Sequence, residues 1–155
     1  MFDPNHEQRL TVLQEQQLHK AQAVTPDLIA RVITQACVRL PALHVTSKIR
    51  IRRLMESSAF ADAALALIEL ELPQWRLRRL IHEDGEWHCS LSQRPELPIS
   101  LDQTADASHE VLPLAILAAF VEARCNGFAR NESCLPSVPQ IQPAQEFALC
   151  CDNFR

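Results

Sequence analysis

Apolar residues recur at helical spacing near the start of the chain. Between residues 6 and 22, Leu10, Leu13 and Leu18 stand among glutamine and glutamate residues, which predicts a weakly amphipathic helix. We interpret residues 1–24 as an N-terminal helical arm that precedes the domain at residues 25–127, and the pattern leaves open whether this arm is detached from the domain or packs on it.

Three further helices are predicted before the pattern changes. Residues 25–27, Thr-Pro-Asp, supply an N-cap, a proline at the first helical position and an early carboxylate, and Pro41 ends that helix. Residues 47–56 alternate in part like a strand, but we favour a helix there. Residues 59–70 are rich in alanine and leucine and predict a helix that ends before Pro73.

The hydrophobic period changes to two at Trp75, which predicts a β-hairpin that turns near Gly85. A two-residue turn at 84–85 mixes polar and apolar residues on both faces of this hairpin. A three-residue loop at 83–85, with a bulge at its glycine, sorts the two faces better. That register pairs Ile81 with Trp87 and Leu77 with Leu91. The predicted core-facing side comprises Trp75, Leu77, Ile81, Trp87, Cys89 and Leu91.

The last helical pattern is the most apolar in the chain. We interpret residues 93–107 as a connecting loop and residues 108–125 as a helix, whose regular part Pro113 confines to the region after residue 110. This helix is apolar nearly all round, which is typical of a central position, and it ends at Asn126 and Gly127. Residues 128–155, with several prolines, predict an extended or disordered tail.

These elements predict an α+β fold: a small helical domain at residues 25–127, in which an antiparallel β-hairpin packs on a central apolar helix. The length of 155 residues and the 47% hydrophobic content suffice for one core. Because a two-stranded hairpin is marginal by itself, either the helix covers it or a second chain extends its edge.

Composition narrows the function classes. Two glycines in the whole chain leave no glycine cluster of the kind that holds phosphates or dinucleotides, so no cofactor is expected. The first residues are charged and polar, and the longest apolar run, 111–121, is too short to cross a bilayer. We therefore expect a cytoplasmic protein with reduced thiols and no membrane partner.

Basic and acidic residues are separated along the chain. Residues 45–81 hold seven bases and four acids, whereas residues 82–155 hold eleven acids and four bases. The bases cluster at 48–53 and 76–79 without interleaved exposed aromatic residues. We expect a solvated or partner-facing surface there, and no nucleic-acid partner.

The stretch HEDGEWHC, residues 82–89, is the densest group of candidate metal ligands. It lacks the spacing of a helical zinc-protease motif, and its Asp-Gly breaks any helix. In the predicted register His82, Glu86 and His88 share the outer face as weak metal candidates, but no further ligand accompanies them. We favour ordinary solvent-facing side chains.

Cysteines offer a second candidate chemistry. Cys89 is a small buried hydrophobe in one interpretation and a reactive thiol beside Arg79 in the other. Arg79 itself is expected either to extend its charged end to solvent or to pair with a carboxylate such as Glu110 or Glu122 of the covering helix. The cysteines of the last helix and the tail show no zinc-ligand spacing: Cys125, Cys134, Cys150 and Cys151.

The hairpin, WRLRRLIHEDGEWHCSLS, and the last helix, ASHEVLPLAILAAFVEAR, resemble a group of small uncharacterised proteins of alphaproteobacteria. The resemblance covers residues 50–125. It implies a bacterial cytosolic protein and no particular activity.

Two function hypotheses follow from these residues. The first is a small non-catalytic protein-interaction module, with a homodimer through the hairpin edges or the N-terminal arm as one form. The second is a thiol or metal-binding protein that uses Cys89 or the tail cysteines together with His82 and His88.

Overall fold

The computed structural model of the protein describes residues 4–42 and 44–132, which form five α-helices and a three-stranded antiparallel sheet. This confirms the predicted α+β fold. The helices are α1 (Pro4–Val12), α2 (Pro26–Ala36), α3 (Val45–Glu56), α4 (Phe60–Glu71) and α5 (Leu112–Glu132). The strands are β1 (Arg76–Glu83), β2 (Glu86–Ser92) and β3 (Thr104–His109). From residue 133 onward the predicted tail lies outside the described residues.

Helix α5 is the centre of the core. Residues 114–121 are at most 1% exposed, because β2 and β3 pack against one side of the helix and α1 and α4 against others. Its apolar character all round therefore reflects contact on several sides. The helix continues past Asn126 and Gly127 to Glu132, contrary to the prediction, since one glycine in a helix costs only about 1 kcal/mol. No helix of the described residues is both long and apolar enough to span a membrane.

The N-terminal segment is part of the domain. Leu10, Leu13 and Leu18 are fully buried in the same apolar core as α5. The chain continues α1 as a π-helix over Leu13–Leu18, and the i to i+5 hydrogen bonds of a π-helix bring residues five apart to one face. The predicted N-terminal arm therefore packs into the domain and is not detached from it.

Helix α2 begins as the sequence predicts but ends earlier. The hydroxyl of Thr25 accepts a hydrogen bond from the N–H of Leu28 at 3.2 Å, which caps the first turn. The helix ends at Ala36, well before the expected stop at Pro41.

A buried carboxylate explains the early end of α2. Glu71, the last residue of α4, is 2% exposed. Its carboxylate accepts hydrogen bonds from the N–H groups of Val38 at 3.1 Å, Arg39 at 2.9 Å and Leu40. These three N–H groups bind the carboxylate of Glu71 instead of continuing the helical pattern. One side chain from α4 thus fixes the connection that follows α2.

The sheet contains a strand that the sequence analysis missed. β3 lies within and just beyond the residues predicted as a loop, and it pairs with residues 87–92 of β2. Its sequence, TADASH, holds alanine and aspartate, which are poor strand formers. The strand forms because β2 supplies hydrogen-bonding partners and α5 packs against it.

The turn of the hairpin differs from the predicted three-residue loop. Asp84 and Gly85 have φ angles of 53° and 86°, so both occupy the left-handed region. Two successive residues of this kind form a type I′ turn, the preferred two-residue connection between twisted strands. The turn therefore pairs Glu83 with Glu86 and His82 with Trp87.

A bulge in β1 reconciles this turn with the apolar pattern. The register shifts between Leu77 and Arg79, so that Leu77 still lies opposite Leu91, as predicted. On the turn side of the bulge, Leu80 lies opposite Cys89, and Ile81 lies opposite His88 on the outer face. The predicted core position of Ile81 is therefore wrong, because the extra residue sits in the strand and not in the turn.

Candidate functional site

The three candidate metal ligands of the hairpin do not share a face. The ring of His82 lies 4.9 Å from that of Trp87, between centroids, on the side that faces α5. Glu86 and His88 lie on the outer face, because side chains alternate along β2. The predicted common face of these three residues is wrong, and the one-residue difference in register is the reason. Among the described residues no group of three or more His, Cys, Asp or Glu side chains is placed to hold a metal ion.

Cys89 is a buried thiol and not an activated one. It is 2% exposed, and burial, with a smaller contribution from the Asp106 carboxylate, raises its pKa to about 12. Its neighbours across the strands are Leu80 and Ala107. At neutral pH such a group is protonated, and the thiol form is a poor nucleophile and metal ligand.

The structure also shows the surroundings of Arg79 and of a second buried thiol, Cys37. Arg79 pairs with Glu83 of its own strand at 4.0 Å, and both side chains are more than 60% exposed, so the predicted pairing with Glu110 or Glu122 is wrong. Burial also raises the pKa of Cys37 to about 12, with Glu71 adding to the effect. The tail cysteines 134, 150 and 151 lie outside the described residues.

β3 brings polar residues together on the outer face of the sheet. His88 lies directly opposite Ser108, and Ser90 lies directly opposite Asp106. With Arg79, Ile81 and Glu83 of β1, they line a shallow concavity of about 370 Å³. The sequence analysis missed Asp106 and Ser108 because it placed no strand there, although the alternation of alanine with polar residues in TADASH was a usable signal.

The residue types in this concavity resemble those of a hydrolytic triad, but their arrangement differs. A serine nucleophile requires a base within hydrogen-bonding reach, and that base requires a third group to orient it. Within the described part of the chain, the side chain of His88 forms no hydrogen bond with Ser90, Asp106 or Ser108. Its described residues thus do not form an assembled acid–base site.

The bulged residue Arg78 anchors one end of this face. Its guanidinium donates to Asp102 Oδ2 at 2.6 Å and to the carbonyl of Leu97 at 3.0 Å. Asp102 also accepts from the Ser92 hydroxyl and, at 3.1 Å, from the N–H of Arg94. Burial alone would raise the pKa of Asp102, but these hydrogen bonds and the charge of Arg78 lower it. The connection between β2 and β3 is therefore fixed to β1.

Strand β1 is the least covered part of the sheet. It forms one edge, with β2 in the centre and β3 at the other edge. Helix α5 packs on β2 and β3, whereas the extensive contacts of β1 are with β2. Leu77 of β1 is 42% exposed although its cross-strand neighbour Leu91 is fully buried.

The backbone of β1 offers hydrogen-bonding groups to the outside. In an antiparallel pair, residues whose N–H and C=O groups point toward the partner strand alternate with residues whose groups point away. The pair next to a two-residue turn, here Glu83 with Glu86, is of the first kind. The N–H and C=O groups of Leu80 and His82 consequently point away from β2.

Comparisons of the chain with protein-family models, with curated proteins and with solved structures give no match.

Proposed function

We propose that this protein is a small non-catalytic, cytosolic protein-interaction module, and that it binds its partner through the β1 edge of the sheet. The main support for the proposal is an edge strand on which, among the residues that the structure describes, no helix makes extensive contacts. The outward N–H and C=O groups of Leu80 and His82 suit the addition of a further strand, a common mode of protein recognition.

The side chains of β1 support the same conclusion. Leu77 presents apolar surface beside the edge, while Arg79 and Glu83 present charges of both signs. Main-chain hydrogen bonds supply affinity in strand addition, and side chains such as these select the partner. The buried free thiols Cys37 and Cys89 fit a reducing compartment.

A proline at the edge tests this proposal. His82→Pro removes an N–H group that points away from β2, so no hydrogen bond to β2 is lost. Proline is tolerated on an edge strand where its nitrogen faces away from the neighbouring strand. The matched control is His82→Ala, which also removes the ring that contacts Trp87 but keeps the N–H group. We expect proteins captured from a cell extract by the wild-type chain to be retained by His82→Ala and lost with His82→Pro.

Circular dichroism and thermal unfolding must show that both variants are folded before their captured proteins are compared. If all three chains capture the same proteins, or if none captures any and the purified wild-type chain also does not self-associate, β1 is not a binding edge and the proposal fails.

A further inference from the structure

We propose that the partner of β1 is a second copy of this chain, and that the two β1 strands pair antiparallel about a two-fold axis at Ile81. This inference rests on the proposed function, since it takes β1 as the binding edge. It adds the identity of the partner and the register of the contact.

The backbone groups of β1 match one another in this register. With Ile81 opposite its own copy, Leu80 lies opposite His82 of the second copy, and His82 opposite its Leu80. The N–H and C=O groups of both residues point away from β2, so they form two hydrogen-bonded pairs across the axis. The contact is isologous and closed, and it joins two three-stranded sheets into one of six strands.

The charged residues of β1 favour this register and favour a second copy as the partner. The same pairing places Arg79 opposite Glu83 of the second copy on the outer face, and it does so twice because of the two-fold axis. All bases of β1 lie in its first half and its acid lies at its end, so an antiparallel copy brings opposite charges together. A register centred on Leu80 instead sets Glu83 opposite Leu77 and leaves Arg79 opposite Ile81. Opposite charges directly across a strand pair stabilise it, and like charges destabilise it.

The dimer also enlarges the outer concavity. Arg79, Ile81 and Glu83 form the β1 wall of that concavity in each copy. When the two β1 strands pair, these walls meet at the axis, and the concavities join into one groove across six strands. The free edge of β1, with its exposed backbone groups, is then paired.

A charge-exchange series tests the register. The oligomeric state is measured by sedimentation velocity from about 1 µM to about 1 mM, a range that spans weak to moderate affinities. We expect a concentration-dependent dimer of the wild-type chain. Arg79→Glu and Glu83→Arg each set like charges across the axis and should weaken the dimer about tenfold or more, whereas the double variant restores opposite charges and should recover most of the affinity.

Two controls separate this contact from a general effect of charge. Arg50→Glu makes the same change at an exposed ion pair between α3 and α4, where Arg50 lies 3.7 Å from Glu69, and it should leave the dimer unchanged. His82→Pro should abolish the dimer, and His82→Ala should keep it.

Three results overturn the inference. The first is a wild-type chain that stays monomeric throughout the concentration range. In that case the proposed function still stands if the wild-type chain captures a different protein and His82→Pro does not. A dimer that is insensitive to exchange at residues 79 and 83 shows that the chains join elsewhere. A double variant as weak as either single variant excludes the Arg79–Glu83 register.

Discussion

The two edges of the sheet differ in what covers them. β3 lies beneath α5, and its Ala105 is 1% exposed. β1, at the other edge, leaves Leu77 42% exposed. Both strands pair with β2 over most of their length, so backbone pairing is not the source of the difference.

The width of a helix explains why the two edge strands are covered to different extents. An α-helix with its side chains is about 10 Å wide, and neighbouring strands lie about 4.8 Å apart. One helix therefore covers about two strands, and a third strand extends past it. The covered pair, β2 with β3, contributes buried side chains such as Leu91 and Ala105 to the core, while β1 leaves Leu77 exposed.

The largest predicted difference between covered and uncovered strands concerns two leucines that lie opposite each other. Leu91→Ala removes a fully buried side chain, and we expect a loss of about 2 to 5 kcal/mol in the free energy of unfolding. Leu77→Ala removes a side chain that is 42% exposed, and we expect a loss below about 1 kcal/mol. Urea unfolding of the two variants measures both values. Similar losses would contradict the distinction between the strands.

A smaller effect on stability is expected at Asp102, which binds Arg78 of β1 from the connection after β2. The pKa of Asp102 is lowered in the folded chain, so its stabilising contribution is present above its ordinary pKa, near 3.8. That contribution is lost as the pH falls through the lowered value. We expect Asp102→Asn to lower the urea midpoint at pH 7 and to reduce the loss of stability between pH 5 and pH 2.

The matched control for Asp102 is Asp106→Asn, which makes the same change at an exposed side chain of β3. It should leave the urea midpoint at neutral pH close to that of the wild type. If the two variants behave alike, the hydrogen bonds of Arg78, Ser92 and Arg94 do not hold β1 in place.

The smallest predicted effect concerns the turn that sets which backbone groups of β1 point outward. Asp84 has a φ of 53°, where aspartate is tolerated better than alanine and glycine is unstrained. We expect Asp84→Ala to lower the free energy of unfolding by about 1 kcal/mol, and Asp84→Gly to leave it unchanged or raise it. In a three-residue loop residue 84 has a negative φ, and Asp84→Gly would be the destabilising change. Urea unfolding decides between the two turns.

Much of the helical layer follows from local patterns. The cap at Thr25 and the all-round apolar surface of α5 are visible in sequence because they depend on residues close together in the chain. The end of α2 is not, because it depends on Glu71, whose carboxylate reaches N–H groups more than thirty residues away.

The candidate site was predictable only in part. Alternation along residues 75–92 follows the burial of Trp75, Cys89 and Leu91. It does not locate the bulge, because an extra residue in the turn and an extra residue at Arg78 both keep Leu77 opposite Leu91. The two positions of the extra residue put His82 and Ile81 on opposite faces of the sheet. Only an extra residue in the turn would place His82 on the same face as Glu86 and His88, as a metal site requires.

Taken by itself, the amino-acid sequence determined the fold class, the hairpin and the central helix, because each rests on periodicity and on propensities within a short segment. Only the tertiary structure decided the register, the third strand and the uncovered edge. A type I′ turn fits the strand twist once the bulge at Arg78 is present, TADASH becomes a strand once β2 and α5 flank it, and β1 stays open because one helix is too narrow to cover three strands.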